Sequence, residues 1–115
     1  MDHLQLLQQI NATAQFNQWA GLEVLHAGEG HVELALKWKD ELGQYSGFLH
    51  AALIGGLIDT ACGFAAATVA GPKVLASNFS VNCLRPAVGD IFHARAKVTK
   101  AGKTQVFTAC DLFAV

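Results

Sequence analysis

The chain has 115 residues and a mass of 12.2 kDa, room for a single domain over residues 1–115, which excludes a two-domain enzyme within it. Hydrophobic residues make up 52% and charged residues 15%, against roughly 25% charged in an average domain, so part of the surface is built for burial and a homo-oligomer is expected. The formal net charge is −1, from eight Lys and Arg against nine Asp and Glu, and no basic run exceeds two residues, so a nucleic-acid partner has no electrostatic basis.

Residues 1–19 carry Leu4, Leu7, Ile10, Ala14 and Trp19 at spacings of three to five. That stripe predicts a short amphipathic leading helix with a glutamine-rich outer face. The same segment has neither the basic start nor the apolar centre of a signal peptide, so a cytoplasmic location is expected. Leu22–Leu25 and Val32–Trp38 flank Gly28-Glu29-Gly30 and predict a β-hairpin, with Val32, Leu34, Leu36 and Trp38 on one face. Lys39 to Gly47 is polar and punctuated by glycine, and reads as a loop.

From Leu49 to Ala70 the chain is rich in Ala, Leu and Ile, apolar nearly all the way round, and stops at Gly71-Pro72. It predicts a long central helix over 49–70, buried on most sides and serving as the axis of the fold. Such a helix is long enough to cross a bilayer. Asp59 at its centre, however, costs about 2.5–3.5 kcal/mol on insertion, and the flanking runs alternate as β-structure, so no membrane partner is expected.

Three alternating runs after Pro72 are predicted strands. Leu75, Ser77, Phe79, Val81 and Cys83 share a face in the first, and Phe92, Ala94, Ala96 and Val98 in the second. After a turn at Lys100–Lys103, Val106, Thr108, Cys110, Leu112 and Ala114 share a face in the third. An apolar sheet face must be covered, and the central helix is the only large cover. The expected class is α+β, one long helix on a curved antiparallel sheet. Cys62, Cys83 and Cys110 are odd in number, widely separated and free of any CxxC spacing. They read as small core residues of a reducing compartment, with neither a disulfide framework nor a metal site.

Asp59 is the strongest chemical signal. A carboxylate in the middle of an apolar helix is paired, protonated or used. Its bland reading is a hydrogen bond to a neighbouring strand. His50, nine residues earlier, lies about 180° away on the same helix, so the two cannot form a dyad within one chain. A two-fold dimer in which His50 of one subunit meets Asp59 of the other would build two equivalent sites. A histidine at a helix start is otherwise a cap or a packed surface group.

The sequence Gln44-Tyr45-Ser46-Gly47-Phe48-Leu49-His50-Ala51-Ala52, followed by Leu57-Ile58-Asp59-Thr60-Ala61, resembles the signature of the hotdog-fold acyl-CoA thioesterases of the phenylacetic-acid-degradation type. Asn82-Cys83-Leu84-Arg85-Pro86 and Ala101-Gly102-Lys103-Thr104 are similar to further family segments. The resemblance implies a hotdog fold, a homodimer or dimer of dimers, an acyl-CoA substrate with a small or aromatic acyl group, and no cofactor or metal. It implies Asp59 as the base or nucleophile at the thioester carbonyl, the Ala51 backbone N–H as oxyanion donor, His50 in substrate orientation and Gln44 holding water or thioester. Ala52 and Ser77 are the candidate substrate contacts. The chain departs from the family pattern where His-Gly-Gly is His50-Ala51-Ala52, where Gln44 replaces Asn, and where Ala76 stands at a position often held by Ser or Thr. It also reads one sheet strand short. Alternatives on the same fold are an acyl-thioester hydratase or dehydratase and a non-catalytic acyl-CoA or lipid-binding protein.

Overall fold

A four-stranded antiparallel sheet is the floor of the fold in the computed structural model, which describes residues 1–115. Its strands β1 (Glu23–Gly28), β2 (His31–Lys37), β3 (Ile91–Ala101) and β4 (Val106–Ala114) lie in the order β1-β2-β3-β4. Period-two alternation selects the faces. Val32, Leu34 and Leu36 of β2 and Phe92, Ala94 and Ala96 of β3 are buried, while His31, Lys37, Arg95 and Lys97 are exposed. The register sets Leu34 opposite Ala94 and Ala94 opposite Leu112, so the apolar rows align across three strands. On the outer face Glu33 pairs with Arg95 of the adjacent strand.

The hairpin between β1 and β2 turns at Glu29-Gly30, where Gly30 has φ 81°, a conformation that costs a residue with a Cβ. Gly30 also donates its N–H to Thr68 Oγ1 at 2.7 Å. That bond ties the turn to the far end of the central helix.

The central helix, here α3, spans Ala51–Ala70, with His50 as its N-cap and Gly71 as its C-cap. Leu53, Leu57, Ala61 and Ala65, spaced four apart, are buried and belong to the same core cluster as Leu34, Leu36, Phe92 and Ala94. The sequence predicts burial on most sides, and here the structure differs. Apart from that row only Ala66 is buried, and Ala51, Ala52, Val69 and Ala70 are exposed. One sheet covers one side of a helix; elsewhere Phe16 of α2 reaches α3 at Gly56 and Phe79 reaches it at Gly55, and the remaining residues between the two ends of the helix are only half-buried.

The leading helix is also two helices. α1 (His3–Thr13) starts with an Asp2–Gln5 capping box, and α2 (Gln15–Ala20) follows a break at Ala14, whose φ −89° and ψ 113° are extended. The break rotates the second piece, so Trp19 of the predicted stripe is half-exposed while Asn17 is buried against Asn11, which lies one turn after buried Leu7 on α1. Their amides satisfy one another: Asn17 Nδ2 donates to Asn11 Oδ1 at 2.9 Å, and Asn11 Nδ2 donates to the Leu22 carbonyl at 2.8 Å. This buried amide pair joins both short helices to the start of β1.

The first predicted strand after the helix does not form. Between Pro72 and Pro86 no residue makes a backbone–backbone hydrogen bond, and Leu75, Phe79 and Leu84 are exposed. Strand formation needs a neighbouring backbone, and this segment stands away from the free edge of β4. The expected missing strand is likewise not a gap inside the sheet, since β2 pairs with β3 and β3 with β4 without interruption. The shortfall lies at the β4 edge. Cys83 is exposed on the same segment and is not a core residue.

Asn11→Ala is expected to destabilise the chain by about 2 kcal/mol, because it leaves the Leu22 carbonyl and the Asn17 amide buried without partners. Adding Asn17→Ala should cost less than the sum of the two single changes. Urea unfolding of the three variants reads both effects.

Candidate active site

Asp59 sits at the middle of α3, about 160° round the helix from Leu57 and from Ala61. Its carboxylate is half-buried and makes neither a hydrogen bond nor an ion pair within the chain. The bland reading, a structural hydrogen bond to a strand, is therefore not what holds it. Asp59 instead lines a cavity of about 1780 Å³ whose walls are α3, the segment after the helix and β4. Ligand pockets are commonly around 300–1,000 Å³. This one is larger because the segment from Pro72 to Ala87 stands off β4. Ser77 lines the same cavity on that segment, and the Phe79 ring approaches the helix at Gly55.

The other candidate residues lie at the N-terminus of α3, nine residues and roughly 13 Å along the helix from Asp59. His50 is exposed and caps the helix, its Nδ1 accepting from the Ala52 N–H at 2.9 Å. An accepting Nδ1 leaves the ring proton on Nε2. The Ala51 N–H has no acceptor in the chain, and it points outward from the positive end of a long helix. The helix starts here because the loop before it is closed. His50 N–H donates to the Leu42 carbonyl at 2.9 Å, and Gly43 and Leu49 form an isolated bridge. Gln44 closes the same loop from within: its Oε1 accepts from Ser46 N–H and, at 3.4 Å, from Phe48 N–H. Tyr45 is fully exposed at the loop tip.

The sequence candidates thus fall into two groups in one chain. Asp59 and Ser77 share the cavity, whereas Gln44, His50, Ala51 and Ala52 cluster at the helix start outside it. Sequence reasoning placed His50 and Asp59 apart by helical phase alone, and the structure keeps them apart.

Two residues that the sequence reading assigned to the core also belong to the cavity. Cys62 on α3 and Cys110 on β4 both line it. The Cys62 thiol is lowered to about 6, chiefly by the Cys110 side chain, against the opposing effect of burial; Thr108 lowers it further and the nearby Asp59 charge raises it, while Cys110 Sγ itself donates to the Asp111 carbonyl at 3.7 Å. Cys110 is pushed far above the ordinary thiol range, first by Cys62 and then by burial. The signal available in the sequence was parity: Cys110 shares the helix-facing row of β4 with Thr108 and Leu112.

A long helix laid along a curved antiparallel sheet is the hotdog arrangement. The profile of the thioesterase superfamily matches residues 46–115, and the chain belongs to that superfamily. Among solved structures it is similar to a thioesterase family protein from Silicibacter pomeroyi, at 32% identity and a TM-score of 0.92, over 97% of this chain and 84% of that one. It is also similar to zebra fish thioesterase superfamily member 2, at 25% identity and a TM-score of 0.84, over 95% and 84% of the two chains. The PaaI protein of the E. coli phenylacetic acid degradation operon shares the fold, at 20% identity and a TM-score of 0.80, over 95% and 83%. No curated protein matches the chain.

His50→Ala is expected to cost about 1 kcal/mol of stability through loss of the cap, while His50→Ser, which can cap the same N–H, should be close to neutral. Urea midpoints of the two variants separate the capping role of His50 from any role in chemistry.

Proposed function

We propose that the protein hydrolyses an acyl-CoA thioester carrying a small or aromatic acyl group, at a site shared between two copies of the chain. The observation that carries this reading is Asp59, an unpartnered carboxylate facing the cavity of a thioesterase-superfamily fold. An uncompensated carboxylate in an apolar setting is costly to keep and useful to a hydrolase.

Hydrolysis requires a base, a water and a donor for the developing oxyanion. Asp59 takes a proton from water while the water oxygen attacks the thioester carbonyl carbon. The free Ala51 N–H of the second copy, at the positive end of its helix, receives the oxyanion. Collapse breaks the carbon–sulfur bond, and the departing thiolate takes up the proton from Asp59, giving a carboxylic acid and free CoA. His50 of that second copy orients the thioester, with Gln44 beside it, and Ala52 and Ser77 contact the substrate. The separation of Asp59 from the helix start supports the two-copy arrangement, because no single chain supplies both halves. The apolar and half-uncovered α3 face supports it too, as does the low charge content. The methyl groups of Ala51 and Ala52, where relatives carry glycines, narrow the approach to the helix start and favour a compact acyl group.

One feature favours the rival reading of an acyl-CoA-binding protein without turnover: the Gln44 amide oxygen is already engaged with its own loop. Thiol release from short-chain, aryl-acetyl and long-chain acyl-CoA substrates decides between the two. Hydrolysis should fall at least about 100-fold in Asp59→Asn, and tight binding without thiol release by the unaltered protein would favour the rival. Mixing inactive Asp59→Asn and His50→Ala chains after unfolding and refolding should restore about a quarter of the activity, since half the dimers then hold one intact site. No restoration would count against the shared site.

A further inference from the structure

Glycine is the least favourable helix residue after proline, yet α3 carries Gly55, Gly56 and Gly63 in its interior. Two of them have an evident use. A Cβ built at Gly56 would meet the Phe16 ring at 3.3 Å, and one at Gly55 would meet the Phe79 ring at 3.9 Å, so both bare positions seat an aromatic ring against the helix. Gly63 has no such neighbour. Its backbone is helical and its φ is not positive, so conformational freedom is not what it supplies. A Cβ built there meets nothing within 4 Å beyond its own stretch of helix. It opens on the cavity instead. Gly63 lies one helical turn beyond Asp59, and Ala67 one turn further, so the three form a row about 12 Å long on one side of α3. All three line the cavity. The unpaired carboxylate therefore stands at the head of a strip where the helix backbone is nearly bare. One turn the other way, Gly55 lies outside the cavity, with Phe79 against it.

We propose that Gly63 is the specificity-determining residue of the acyl site: the volume a side chain would fill there receives a planar aromatic acyl group, laid over Gly63 and Ala67 with its carbonyl carbon at Asp59. The inference rests on the acyl-CoA reading above and deepens it, by assigning the acyl half of the substrate to one direction along the helix. An aromatic ring needs an apolar surface broad enough for its face. A strip bearing one methyl group in two turns supplies that surface, and a branched side chain at Gly63 would stand on the same ground. Neighbours four apart on a helix have Cβ atoms about 5–6 Å apart, so such a side chain would also crowd the carbonyl at Asp59. An acetyl group extends only one methyl past its carbonyl and does not reach Gly63. The direction follows from Phe79, which occupies the side of Asp59 towards the helix start. The thioester sulfur and the CoA arm then run outward, away from the strip.

The test compares kcat/KM for phenylacetyl-CoA and acetyl-CoA in the full chain and in Gly63→Ala, Gly63→Leu and Gly55→Ala. The ratio of the two values should fall about 10-fold in Gly63→Ala and about 100-fold in Gly63→Leu, through loss of the phenylacetyl substrate, with acetyl-CoA turnover kept within about 3-fold. Gly55→Ala, outside the cavity, should leave the ratio unchanged. Gly63→Ala should melt no lower than the unaltered protein, because alanine favours the helix and its methyl group meets no atom. Equal loss on both substrates, an unchanged ratio, or a lower melting temperature with a changed sedimentation coefficient would each overturn the inference, the last by making Gly63 a packing residue between copies. The same variants are titrated by calorimetry with the two ketone analogues in which a methylene replaces the thioester sulfur. Affinity for the phenylacetyl analogue alone should fall in Gly63→Leu, whether or not the protein turns substrate over. If the unaltered protein neither hydrolyses the esters nor binds the analogues, the acyl-CoA reading fails and the inference with it; turnover or binding with an unchanged preference overturns the inference alone.

Discussion

The structure depends on a single seam. Leu53, Leu57, Ala61 and Ala65 run down one side of α3 and bury themselves with Leu34, Leu36, Phe92 and Ala94 of the sheet. Each leucine contributes on the order of 1.5–3 kcal/mol by leaving water. Ala61 and Ala65 contribute differently: having no bulk beyond Cβ and no exposure at all, they let the helix backbone lie close to the strands. The sheet has one apolar face and the helix covers it, but the converse fails, because four strands on one side do not enclose a helix. The remaining faces of an almost wholly apolar helix are only half-covered.

The position of Asp59 follows from that asymmetry. On the seam, its carboxylate would lose its hydration among leucines and nothing there could replace it. Opposite the seam it borders an open cavity, where water still reaches it. The helix start is set by a different constraint, the closed loop from Leu42 to His50. His50 consumes the Ala52 N–H and leaves the Ala51 N–H free. One helix therefore carries a proton acceptor at its middle and an anion-seeking donor at its end, too far apart to act on one carbonyl. In the proposed two-copy site, a second copy would supply the half that a single chain lacks.

What could be read in the sequence was what local pattern encodes. The hairpin around Glu29-Gly30, the buried rows of β2 and β3 and the parity of β4 all follow from alternation, which depends only on neighbours along the chain. The span of α3 and its stop at Gly71-Pro72 followed from composition and punctuation. The break at Ala14 escaped because residues 1–19 hold neither proline nor glycine; it is the demand of Asn11 and Asn17 for buried partners that turns the chain there. The candidate site residues come from spacing and resemblance, and helical phase alone separates His50 from Asp59. That Cys62 and Cys110 border one cavity was not legible, since parity assigns a face and says nothing of which helical turn lies above which strand residue.

The segment after the helix shows the same limit from the other side. Leu75, Ser77, Phe79, Val81 and Cys83 alternate as a strand should, yet alternation supplies no hydrogen-bond partner, and in this chain none is present from Pro72 to Pro86. Across the cavity, β4 ends the sheet with one edge of its backbone unpaired. Two rows of donors and acceptors thus face a common space that also holds Asp59 and both half-buried thiols. An unpaired edge beside exposed apolar side chains is a state that proteins ordinarily cover. Whatever closes the space must leave Asp59 reachable and must meet α3 on the side the sheet does not cover. The second copy of the proposed shared site, bringing its own helix start to that face, would meet both conditions, and the proposal would then tie the unformed strand and the divided site to one arrangement.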